Sequence, residues 1–115
     1  MRLKTALWVA AYLRRCDVEG LSAVVRRRGA EDAGAVFVRV NRLDGRSDLF
    51  GPAPQSAFEA SEGAARAFSP SLATAPAPDE QVEAYLARQT KFDSDLWIIE
   101  VEDRAGRNFL DVVAA

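Results

Sequence analysis

The 115-residue chain carries 15 Lys and Arg against 17 Asp and Glu, a formal charge of −2, with 49% apolar and 28% charged residues. This balance excludes an acidic disordered segment and a membrane-embedded chain, and the length suffices to bury a core without metals or disulfides, so one α+β domain over residues 1–115 is expected. The single cysteine, Cys16, excludes an intrachain disulfide, and the lack of histidine excludes Ser-His-Asp and Cys-His sites and removes the commonest zinc ligand.

The chain opens with basic Arg2 and Lys4 before an apolar run from Thr5 to Leu13, which imitates a secretion signal. Arg14 and Arg15 stand where a cleavage region needs small residues, and no run reaches the ~20 apolar residues that span a bilayer, so a cytoplasmic address is expected. Cys16 then reads as a half-buried small residue of a reducing compartment. Alternation of Leu7, Val9, Ala11 and Leu13 with Trp8, Ala10 and Tyr12 predicts a strand over 5–14, although the alanines also suit a helix. Asp17 offers an N-cap, and Leu21, Val24, Val25 and Arg28 recur at helical spacing before Gly29, which predicts a helix over 18–28. A hairpin follows: 35–42 alternates, turns at Asp44-Gly45 and returns over 46–50.

Residues 51–78 contain all five prolines, and a connection of that length inside a domain is expected to hide elements. Ser56 and Glu59 have capping-box spacing for a short helix over 57–67, and Phe68 and Leu72 suit an edge strand within 66–75 that tolerates Pro70. Pro78 and Asp79 then open a helix over 79–90 with Val82, Tyr85, Leu86 and Gln89 at helical spacing. A second hairpin is predicted from 96–102, through Arg104-Ala105-Gly106, to 107–113.

The two helix-hairpin stretches, 18–50 and 79–111, align without gaps at an offset of 61, with eight of 33 positions identical, among them Glu19/Glu80, Arg27/Arg88, Val40/Val101 and Gly45/Gly106. The predicted fold is therefore an antiparallel sheet carrying two main helices, built from duplicated β-α-β-β units over about 1–50 and 66–115. A ferredoxin-like order with an added strand is the alternative. Val36, Val38 and Val40 and Trp97, Ile99 and Val101 are the expected core faces.

Candidate chemistry is sparse. The glycines sit at turns and caps, no phosphate loop or dinucleotide fingerprint appears, and no catalytic or cofactor-binding residue is expected. Glu100 and Glu102, two apart on a strand, with Asp93 and Asp95 nearby, could hold Mg²⁺ or Ca²⁺ and support a metal-assisted enzyme; the favoured explanation is a solvated sheet face that discourages edge aggregation. Arg14, Arg15, Arg26, Arg27 and Arg28, with Trp8 as a stacking surface, could form a positive patch for RNA, or could complement a helix dipole and cover apolar surface.

Charge is also graded along the chain: +5 over 1–30, −2 over 31–78 and −5 over 79–115, a pattern that internal ion pairs between the two halves would explain. Trp8, Trp97 and Phe109 cannot all be assigned to the core by alternation. Either the 51–78 connection covers that face or another protein does, a second copy in a homodimer being the simplest.

The segments WVAAYLRRC from Trp8, EGLSAVVRRRG from Glu19, AGAVFVRVNRLDG from Ala33, LFGPAPQ from Leu49 and FDSDLWIIEVEDRAGRNFLD from Phe92 together resemble the short alphaproteobacterial proteins of domain-of-unknown-function family 1491. The resemblance implies a bacterial, cytoplasmic protein of about this length. It implies no activity and transfers no functional residue. The expected role is a small non-catalytic binding or adaptor module acting through protein–protein contacts with itself or another protein, and no membrane partner or cofactor is expected.

Overall fold

A computed structural model describes residues 4–54 and 66–113. The first element corrects the sequence reading: Thr5–Val18 is a helix, α1, where a strand over 5–14 is predicted. Its buried residues, Thr5, Val9, Tyr12 and Cys16, recur at four-, three- and four-residue steps, so a helical stripe underlies the apparent alternation and the alanines favour it. α1 ends at a left-handed Gly20 (φ 77°), with the Gly20 N–H donating to the Asp17 carbonyl and the Leu21 N–H to the Cys16 carbonyl, a Schellman motif. The Asp17–Gly20 stretch, read as a helix start, closes a helix instead.

The segment expected to form a helix over 18–28 is consequently an edge strand, β1 (Ser22–Arg27). Its adjacent valines suit either structure locally, and pairing with a later strand decides between them. β2 (Val36–Asn41) and β3 (Arg46–Pro52) form the expected hairpin, in which Gly45 takes the left-handed conformation (φ 87°) that the turn requires. β4 (Ala67–Pro70) is the strand predicted within 66–75, although β7 beyond it makes it an inner strand rather than an edge, and the two-residue β5 (Ala77–Pro78) also pairs with β3, so the proline-rich connection does hide elements. Most of the helix predicted over 57–67 lies outside the described residues, and Ala67 belongs to β4.

The second predicted helix is present as α2 (Asp79–Phe92), with acidic Asp79 and Glu80 in its first turn. β6 (Trp97–Glu102) follows, but the return strand does not fold back on it, because β6 already has β1 and β2 as neighbours. The chain instead crosses to the far edge, where β7 (Asp111–Val112) pairs in parallel with β4. The sheet order β1-β6-β2-β3-β4-β7, with β5 beside β3, is open and mixed.

The α+β class with two helices on a sheet therefore holds. The β-α-β-β duplication and the ferredoxin-like order do not, since the first unit holds a strand where the second holds a helix. The offset of 61 nevertheless has a structural counterpart: β2 and β6 lie side by side in parallel, and every registered pair from Val36/Trp97 to Asn41/Glu102 differs by that offset.

The helices cover opposite faces of the sheet. Val36, Val38, Val40, Trp97, Ile99 and Val101 pack under Val9, Tyr12 and Cys16 of α1, the predicted core face. The intervening Phe37 and Ile98, with Leu49, pack under Val82 and Leu86 of α2, and these two central strands are thus apolar on both sides.

Candidate functional site

Two polar or concave features are built on this scaffold, one on each face. On the α2 face, Arg39 of β2 points inward between Phe37 and the end of the strand, with its side chain only 9% exposed. Nε donates to the Ser47 hydroxyl at 3.0 Å, Nη2 lies 2.9 Å from Asp79 Oδ1, and Nη1 lies 2.6 Å from Glu83 Oε2 and 3.2 Å from Glu100 Oε1. Arg26 of β1 closes the cluster with a two-pronged bond to Glu83 at 2.8 and 2.9 Å and a third contact to Glu100. The bond from Arg26 is the main reason that the Glu83 carboxyl is held below its usual range. Burial alone would push Asp79 up, but hydrogen bonds from Ser47 and Arg39 outweigh it and hold Asp79 low. This is a five-member ionic clasp joining β1, β2, β6 and α2.

The clasp accounts for several residues singled out by the sequence. Arg26 and Glu100 are engaged with each other and with the clasp rather than with an external partner. Arg27 donates to the carbonyls of Ser94 and Leu96, and Arg28 lies 5.0 Å over the Trp97 ring. The three consecutive arginines thus diverge to three different sets of partners. Arg14 and Arg15 sit at the other end of the molecule: the N–H groups of Thr5 and Ala6 meet the carbonyls of Asp32 and Glu31, so α1 and β1 run antiparallel and the two arginine groups face away along a helix about 20 Å long. One continuous basic patch is not formed.

The acidic candidates are also dispersed. Asp93 accepts the Asp95 N–H at 2.9 Å in the turn before β6, whereas Glu102 ends that strand, about 20 Å further on for an extended chain. Among the described residues no three acidic or cysteine side chains are placed to hold a metal ion.

On the α1 face, a cleft of about 290 Å³ opens between α1 and the segment that leads into β7. Trp8 stacks on Tyr12 with ring centres 5.1 Å apart and planes 9° from parallel, and contacts Phe68 at 5.3 Å. The Tyr12 hydroxyl donates to the Asn108 carbonyl at 2.7 Å, and the Asn108 side chain accepts the Leu110 N–H at 2.8 Å. These bonds bend the chain so that Phe109, at φ 54°, forms the opposite wall. Arg15 lies 5.1 Å over the Phe109 ring, Arg66 and Asp111 line the rim, and the small side chain of Ala11 leaves the space open.

A model of the DUF1491 family, described as a protein of unknown function, matches residues 3–111. The chain belongs to the DUF1491 family. This DUF1491 protein is similar to a protein from A. tumefaciens whose solution structure shares 43% identity and a TM-score of 0.81, covering 100% of this chain and 98% of that one. It is also similar to a DUF1491 family protein from Caulobacter crescentus CB15, at 34% identity: the crystal structure gives a TM-score of 0.79 with 100% and 99% coverage, and an NMR structure gives 0.78 with 100% and 98%. No match is found among curated proteins.

In the DUF1491 chain the two acidic groups buried on α1, a phenol and a thiol, are held protonated. Burial pushes the Tyr12 phenol and the Cys16 thiol up, and Cys16 is completely buried rather than half-buried. Trp97, one of the three unassigned aromatics, belongs to the core, while Trp8 and Phe109 are half-buried at the cleft. Arg39 and Glu83 were not marked by any sequence motif, and Asp79 only as a helix start. The available signal was an arginine alternating with Val38 and Val40 in a central strand, where both faces must be covered. No helix among the described residues is long and apolar enough to cross a membrane.

Proposed function

We propose that this DUF1491 protein is a small non-catalytic binding module that acts in the bacterial cytoplasm through protein–protein contacts, and that the cleft beside α1 is its contact site. The observation that carries this reading is the placement of Trp8 and Phe109. They are the large aromatics left half-buried around a concavity after Trp97 and Phe68 have been absorbed by the core. A pre-built aromatic concavity is the usual form of a recognition site, and aromatic residues with arginine are enriched where binding energy concentrates.

A catalytic reading finds less support, because the chain lacks histidine, its thiol and nearby phenol are buried, and Glu100 is engaged by two arginines. RNA binding through the five arginines would need a shared surface, and their positions spread them over both faces and both ends.

The test is a titration of ¹⁵N-labelled protein with unlabelled native bacterial lysate, with and without nuclease. The expected result is nuclease-resistant signal loss centred on the Trp8 indole N–H and the amides of Asn108 to Leu110. Loss abolished by nuclease, or none at these positions, would contradict the reading. A dilution series of the protein alone shows whether a second copy is the partner.

A further inference from the structure

The chemistry around the cleft narrows what it can hold, an inference that rests on the reading of the cleft as the contact site. Arg15 is the decisive residue. Its guanidinium carbon lies 5.1 Å over the centre of the Phe109 ring, and among the described residues no hydrogen bond or ion pair to it is formed. A guanidinium carries five N–H donors in a planar fork whose geometry matches a carboxylate. The surroundings are otherwise apolar: the Trp8 and Phe109 rings and the small Ala11 side chain. The single charge of the Arg15 guanidinium is complemented by one carboxylate.

Size and support point the same way. About 290 Å³ in a cleft open to solvent is at the lower limit for enclosing a small molecule and is ample for one large side chain of a passing chain. The walls are fixed in advance, Trp8 by Tyr12 and Phe68, and Phe109 by a left-handed backbone that a bulky residue adopts only when its neighbours impose it. A preformed site of this kind loses little ordering entropy on binding.

We propose that the cleft binds a peptide segment of a partner protein in which a large apolar side chain stands next to a carboxylate, the apolar group entering between Trp8 and Phe109 and the carboxylate meeting the edge of Arg15.

The probes are two blocked hexapeptides, acetyl-Gly-Ser-Phe-Glu-Gly-Ser-amide and the same peptide with Gln in place of Glu, titrated into labelled protein. The expected result is a shift of the Trp8 indole N–H and the 108–111 amides, with the Glu peptide bound about fivefold tighter than the Gln peptide. In Arg15→Gln that preference disappears; Arg15 is exposed on α1, so the variant keeps the fold. Equal affinity for the two peptides in the wild type, shifts away from the cleft, or no shift overturns the proposal. So do shifts of the same signals on concentrating the protein alone, which identify a second copy as the occupant. Loss of the peptide preference together with retained lysate signals at the cleft refutes the ligand chemistry and leaves the contact site standing. Absence of both refutes the contact site itself.

Discussion

Arg39 brings a full positive charge to a site where its side chain is 9% exposed, and it is matched there by three carboxylates and a serine hydroxyl. Removing one partner from such a cluster is more damaging than never having built it, because the remaining charges are left uncompensated. Asp79 and Glu83 are partly exposed and can rehydrate, so Arg39→Met should lower stability by about 2 kcal/mol at neutral pH, measured by urea denaturation. The same cluster sets an acid response. Glu83 and Asp79 have folded-state pKa values below their unfolded ones, so their contribution is complete above the unfolded values and is lost as pH falls through the folded ones. Wild-type stability should accordingly decline below about pH 4. Glu83→Gln should be less stable than wild type at neutral pH and should show a flatter decline in acid; identical pH profiles for the two would contradict the clasp.

At the level of elements, local pattern and tertiary context part company at the N-terminal quarter. The predictions for β2, β3 and α2 were legible because each combines one clear periodicity with a specific terminus: Gly45 for the hairpin, Pro78 and Asp79 for the helix. Residues 5–14 satisfy both periods, and the 3.6-residue stripe Thr5, Val9, Tyr12, Cys16 is visible only when a threonine and a cysteine are counted as core. Residues 22–27 have no such stripe once Gly20 ends the preceding helix, and β6 supplies the partner that makes them a strand. Gly20→Ala should therefore lower stability by roughly 1 kcal/mol, read by thermal unfolding, because an L side chain disfavours the left-handed C-terminal position. A neutral effect would mean that the helix end is set elsewhere. Tyr12→Phe removes the hydrogen bond that ties α1 to Asn108. It should lower stability by about 1 kcal/mol and move the amide signals of 108–111 while sparing those of α2.

The cleft was legible only in part, since Trp8, Phe109 and Arg15 were each conspicuous in the sequence but nothing local indicated that the chain after β6 crosses back to α1. That crossing follows from a property of the whole sheet: β6 has strands on both sides, so the C-terminal segment must leave it and reach β4. The same topology explains the offset of 61 as two parallel neighbours facing equivalent layers, and it uses Arg26 of the basic N-terminal stretch to neutralise Glu83 and Glu100 of the acidic C-terminal one. On the α1 face these demands leave the cleft, with Arg15 over Phe109 and the half-buried Trp8 at its walls.

The most direct test of that account compares the proteins captured from native lysate by the wild type, by Ala11→Trp, which fills the cleft from an exposed helix position, and by Phe92→Ala, which alters the exposed end of α2. With all three folded by circular dichroism, the account predicts that a partner held by the wild type and by Phe92→Ala is lost by Ala11→Trp. Full retention by Ala11→Trp would show that the contact site lies elsewhere.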